Sequence, residues 1–131
     1  MPTPTAPSRI PDAPGVVAAF ADQEWIGNSR NPADERVLRL LASMAGFRPR
    51  MVHEADSLDL VEDLIVAGLG VGLLPLDRPA RDGVTVVPLT APEVRLRAWA
   101  VTRRGRGSWP ALALVLDRIA AAGAEAAPEL D

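Results

Sequence analysis

Glu24-Trp25-Ile26-Gly27-Asn28-Ser29-Arg30-Asn31-Pro32-Ala33-Asp34-Glu35-Arg36-Val37-Leu38-Arg39-Leu40-Leu41-Ala42-Ser43-Met44-Ala45-Gly46 is the stretch on which the fold turns. It starts as a short β-like run, Glu24 to Gly27, and passes through a polar turn at Asn28, Ser29 and Arg30. Asn31 then offers an N-cap, and Pro32 fits the first helical position, where a missing N–H costs nothing. Asp34 and Glu35 suit the positive end of the helix dipole. Val37, Leu40, Leu41 and Met44 recur at i, i+3, i+4 and i+7, so a single apolar stripe should pack this helix on a sheet before Gly46 stops it.

The pattern repeats downstream. Arg50 to Glu54 reads as a second strand, after which Asp56 or Ser57 caps a helix whose apolar face is Leu58, Val61, Leu64 and Ile65. Gly68 and Gly70 close that helix, and Val71 to Leu74 is a short strand ended by Pro75. Val84 to Leu89 and Leu96 to Thr102 read as two further strands. Ser108 then caps a last helix with Leu112, Val115, Leu116 and Ile119 on one face. Strands alternating with helices predict an α/β fold, its sheet partly parallel and flanked by helices. In such sheets ligands bind beyond the carboxyl ends of the strands, which points to the loops Asn28 to Asn31 and Ala55 to Leu58.

At 131 residues the chain is one domain in size. Pro2, Pro4, Pro7, Pro11 and Pro14 among small and polar residues mark 1–16 as a flexible leader, 17–122 as the folded body and 123–131 as a frayed tail. No apolar run is long enough for a membrane span and no secretory signal is visible, so a cytoplasmic address is expected. The absence of cysteine excludes disulfides, thiolate metal sites and cysteine catalysis. A net charge of −3 argues against a surface built throughout for nucleic acid, and five aromatic residues leave little for base stacking.

Several motifs resolve into plainer readings. Gly68, Gly70 and Gly72 lie after a helix and before a strand, the reverse of a dinucleotide fingerprint, and read as a helix C-cap and tight turn. His53, Asp56 and Ser57 have the residue types of a hydrolase triad but crowd into one strand end and helix start, so catalysis is not expected. His53 alone cannot make a histidine metal site. Glu54, Asp56, Asp59, Glu62 and Asp63 have no calcium-type alternation, and Asp59, Glu62 and Asp63 read as a solvated helix face; no metal or cofactor is expected. Arg95, Arg97, Arg103, Arg104 and Arg106 read as an arginine-protected strand edge, no sequence-reading DNA motif being present.

Four segments carry a resemblance: Phe20-Ala21-Asp22-Gln23-Glu24-Trp25-Ile26, Ala45-Gly46-Phe47-Arg48-Pro49, Val66-Ala67-Gly68-Leu69-Gly70-Val71-Gly72-Leu73-Leu74-Pro75, and Ala98-Trp99-Ala100-Val101-Thr102-Arg103. In that order they resemble the carboxyl half of the substrate-binding (effector-binding) domain of LysR-type transcriptional regulators, over about Phe20 to Ala122. The resemblance implies a type 2 periplasmic-binding-protein-like subdomain and a non-catalytic sensor of small molecules. By it Asn28, Ser29 and Arg30 match a loop beside the effector cleft, and Ser57 with Leu58 matches a helix N-terminus facing it, where free N–H groups would attract a carboxylate. The family's helix-turn-helix domain, linker helix and first subdomain have no counterpart here, so no direct DNA binding by these residues is expected. Two functions follow: the effector-binding part of such a regulator, or a stand-alone interaction and dimerisation module derived from one. In either case homo-oligomers are expected.

Overall fold

A computed structural model describes residues 11–126 of the chain. The chain divides into two compact units, Met1–Val94 and Arg95–Asp131, which are taken in turn.

The first unit opens with helix α1 (Ala13–Ala18), capped by the Asp12 side chain, which accepts from the Gly15 N–H at 2.8 Å. Strand β1 (Glu24–Asn28) follows, then α2 (Pro32–Met44), β2 (Arg50–Ala55), α3 (Leu58–Val66) and the two-residue β3 (Val71–Gly72). The sheet is wholly parallel in the order β2-β1-β3. Glu24 pairs with Arg50 and Asn28 with Ala55, with a bulge between Trp25 and Ile26. The mixed α/β architecture with helices on a small parallel sheet agrees with the fold class read from the sequence.

Strand alternation sorts the core into two clusters. Trp25 is 3% exposed and packs with Ala13 and Val17 of α1 and with Leu38, Leu41 and Ala42 of α2. Its neighbour Ile26 joins Ala55 and Val61, with Leu64 and Ile65 of α3 and Leu74 packed around them. Successive side chains of one strand thus enter separate clusters, one lined by α1 and α2 and the other by α3. Each large apolar side chain so buried contributes roughly 1.5–3 kcal/mol.

The glycines between α3 and β3 act as the sequence implied. Gly68 takes φ +78 as the helix ends, and the Leu69 N–H closes back on the Leu64 carbonyl. Gly70, at φ +148, passes so close to β1 that a Cβ would collide with the Glu24 carbonyl oxygen.

Four expectations are corrected. Residues 12–16, assigned to a flexible leader, form the cap and most of α1, because Ala13, Val16 and Val17 find a buried position; residues 1–10 lie outside the described residues. The buried stripe of α2 is Leu38, Leu41 and Ala42, and Leu40 and Met44 stand 62% and 59% exposed. The helix is rotated by about one position from the expected face, since α1 covers the side of Leu38 and Ala42. Val84–Leu89 forms no strand: it has no ladder partner among the described residues, although Leu89 packs on the Trp25 cluster. Glu62, read as solvated, is 1% exposed.

In the second unit Leu96–Thr102 is likewise no strand, and α4 runs from Pro110 to Ala126. The Ala113 N–H bonds to the Trp109 carbonyl, so Trp109 rather than Ser108 stands at the helix start. Helix α4 continues through Gly123 into the stretch expected to fray; residues 127–131 lie outside the described residues. Leu96, Trp99, Val101, Trp109, Leu114, Val115 and Ile119 are all more than half exposed.

Candidate functional site

Adjacent parallel strands end on the same edge of a sheet, so β1 and β2 deliver their following loops side by side. Asn28 and Ala55 are register partners. The Ser29 N–H donates to the Ala55 carbonyl at 2.9 Å, and the Ser29 hydroxyl donates to the same oxygen at 3.2 Å. The two loops expected to form a site are therefore joined, and Ser29 joins them. The remaining predicted residues follow from local chemistry. Asn28 Oδ1 accepts from the Arg30 N–H at 3.0 Å, an Asx turn that leaves its Nδ2 as a donor. Ser57 is the N-cap of α3, its Oγ accepting from the Leu60 N–H at 3.2 Å. Leu58 opens that helix half-buried, and its N–H with that of Asp59 belongs to the unsatisfied donors that every helix start presents.

Two of the five residues thus have side chains committed to structure, Ser29 and Ser57, while Arg30 is exposed with no ionic partner among the described residues. Arg30 supplies the free positive charge of this edge.

The acidic residues around it were not legible as part of the site. Asp34 and Glu35, read only as partners of the helix dipole, line a small crevice with Ile26, Gly27, Asn28, Leu38, Met51 and Leu73. Asp34 accepts from Asn31 Nδ2 at 2.7 Å, and burial pushes its carboxyl above the ordinary aspartate value. Asn31 therefore serves α2 through Asp34 rather than by a side-chain cap. An Asn three residues before an Asp at a helix start was the available signal, and its effect depends on the crevice that only the fold creates.

On α3 the expected open carboxylate face is instead roofed by arginines. Arg78 Nη2 reaches Asp59 at 2.7 Å and the buried Glu62 at 2.9 Å. The hydrogen bond to Asp59, with the charge of Glu62, holds the guanidinium still more firmly protonated than usual. The Arg81 N–H also donates to Glu62 Oε1 at 3.4 Å, and the Arg81 guanidinium pairs with Asp63. Arg78 thereby compensates the Asp59 charge in the first turn of α3, beside Ser57 and Leu58. Among the described residues no group of three or more acidic or histidine side chains is placed to hold a metal ion.

His53 does not meet Ser57. It lies on β2, its Nε2 3.7 Å from Glu24 Oε2, and Glu24 also accepts from Arg50 at 3.3 Å. The residue types of a triad are present without its geometry.

Comparison with known proteins places this arrangement. The model of the LysR substrate binding domain family matches residues 6–124. The chain is similar to the uncharacterized HTH-type transcriptional regulator YwbI of Bacillus subtilis (strain 168), at 35% identity over 66 residues, which cover 47% of this chain and 22% of that protein. The match spans about a fifth of that relative's length. No solved structure matches the chain.

Proposed function

The chain belongs to the LysR substrate-binding domain family, and from that premise we propose that it is the small-molecule effector-binding part of a LysR-type transcriptional regulator, non-catalytic and without a cofactor. The reading takes the chain as the carboxyl half of that domain, a periplasmic-binding-protein-like subdomain. It assigns DNA contact in the whole regulator to a helix-turn-helix segment other than these residues. The observation that carries it is the junction of the β1 and β2 loops, where Ser29 bridges to Ala55 and sets Asn28, Arg30 and the first turn of α3 on one edge.

In this reading the effector carries a carboxylate. Arg30 contributes charge, the Leu58 and Asp59 N–H groups contribute direction, and Asn28 Nδ2 offers a further donor. Ser29 and Ser57 act as positioning residues, because their hydroxyls are held in the loop junction and the helix cap. Compensation of Asp59 by Arg78 keeps the edge from repelling an anion. A panel of small carboxylates tests this by thermal shift. A ligand that binds only the folded chain raises its Tm with concentration, and Arg30→Glu removes the rise while leaving the ligand-free Tm in place. No member of the panel shifting the wild-type chain, or an equal shift in Arg30→Glu, refutes this assignment.

The second unit favours a further reading, an interaction module that self-associates. Leu114, Val115 and Ile119 on α4 are 53–59% exposed, and Trp99 and Val101 are 80% and 90% exposed. Exposed apolar surface of this kind is buried in oligomers. Light scattering during size-exclusion chromatography separates the two: a monodisperse dimer that Val115→Glu and Ile119→Glu dissociate favours the module, and a monomer removes it.

A further inference from the structure

The outward face of α2 carries the apolar side chains that the first unit leaves unused. Leu40 and Met44 are one helical turn apart and 62% and 59% exposed. At 100° per residue, Arg36, Arg39 and Ser43 fall on the same side, opposite Leu38, Leu41 and Ala42, and all three are exposed. Past the end of the helix an open groove of about 500 Å³ continues from this face, lined by Arg39, Ser43, Gly46, Phe47, Arg48 and Pro49. No acidic residue lines it. Arg39 is paired with Glu35 at 2.7 Å, whereas Arg36 and Arg48 have no ionic partner among the described residues. In a chain of net charge −3, two uncompensated cations beside two bare aliphatic side chains are a local inversion of the surface.

We propose that this face docks an acidic helical segment of another protein. Aliphatic side chains of the segment lie against Leu40 and Met44, and its carboxylates face Arg36, Arg39 and Arg48. Such helix faces are read by anchors at i and i+4, the spacing Leu40 and Met44 present. Charge decides the occupant. A second copy placed on the same face by two-fold symmetry would bring these arginines against their own counterparts, which is unfavourable, whereas an acidic partner gains from each of them. A nucleic acid would satisfy the arginines but leave Leu40 and Met44 without apolar contact.

Fluorescence anisotropy of the full chain with a dye-labelled acidic peptide tests the proposal. The peptide has about 16 residues, enough to form a helix, with leucines at i and i+4 and glutamates elsewhere; a lysine-for-glutamate version is the control. The acidic peptide should bind, more weakly as salt is added, and the basic one should not. Leu40→Ser with Met44→Ser should weaken binding at least about tenfold, as should Arg36→Glu with Arg48→Glu, with circular dichroism and Tm unchanged because all four side chains are exposed. Arg103→Glu with Arg104→Glu, in the basic stretch of the second unit, should leave the affinity as it is. Four results overturn the proposal: no binding, equal binding of both peptides, a loss of affinity that follows Arg103 and Arg104, or a wild-type dimer that Leu40→Ser dissolves.

Discussion

The two units of this chain carry the same sequence signals with different outcomes. In the first, Glu24–Asn28 precedes an amphipathic helix, and the run becomes the central strand of a sheet while the helix buries Leu38, Leu41 and Ala42. In the second, Leu96–Thr102 precedes α4, yet the run pairs with nothing among the described residues and the apolar face of α4 stays open. The difference teaches that a strand is a property of two segments and a buried stripe a property of a helix and its cover. Propensity proposes an element, and the partner decides whether it forms.

The comparison is sharpest at equivalent leucines and valines in the two helices. Leu41→Ala, at a site 2% exposed in the Trp25 cluster, should cost about 2–5 kcal/mol in chemical denaturation. A cost under 1 kcal/mol would mean that α2 is not packed as described. Next in size, Arg78→Met should lower Tm by stranding the buried Glu62 carboxylate, and adding Glu62→Gln should recover most of the loss. If the double variant melts no higher than the single one, Arg78 matters through some other contact.

A smaller effect is expected at Asp34. Burial raises its folded-state pKa above 3.8, so protonation favours folding. The contribution of this group is fully present below about pH 3.8 and is lost as pH rises through the folded value. Asp34→Asn, which keeps an oxygen for Asn31, should therefore raise Tm by a few degrees at pH 7. That gain should shrink toward zero as the pH is lowered past the aspartate range; a gain independent of pH would assign it to packing. The smallest effect is predicted in the second unit: Val115→Ala, 53% exposed, should change stability by no more than about 0.5 kcal/mol. A loss like that at Leu41 would show that α4 has a cover in solution.

These contrasts also mark what the sequence alone made legible. The helix boundaries of α2 and α3, the parallel β1 and β2, the Ser57 cap and the glycine turn into β3 could all be read, because each is set by neighbours within a few positions. The face that α2 buries could not. Two apolar stripes overlap on it, one through Leu40 and Met44 and one through Leu38 and Ala42, and α1 selects between them. That helix was hidden in a proline-rich stretch whose Asp12 cap and Pro14 suit a helix start as well as a loop. At the candidate site, the loops after β1 and β2 followed from strand order, but the roofing of Asp59 and Glu62 by Arg78 joins residues 16 to 19 positions apart, with no periodic signal. The role of Asp34 in the crevice was hidden for the same reason.

The central claim is that a small anion binds where the β1 and β2 loops meet. Two-dimensional ¹H–¹⁵N NMR of the labelled chain, titrated with benzoate and with succinate, tests it residue by residue. The account predicts saturable shifts concentrated on the amides of Asn28, Ser29, Arg30, Leu58 and Asp59 for at least one of the two, and their loss in Arg30→Glu. Saturable shifts centred on residues 95–126, or unaltered in Arg30→Glu, would contradict it, as would no saturable shift with either compound.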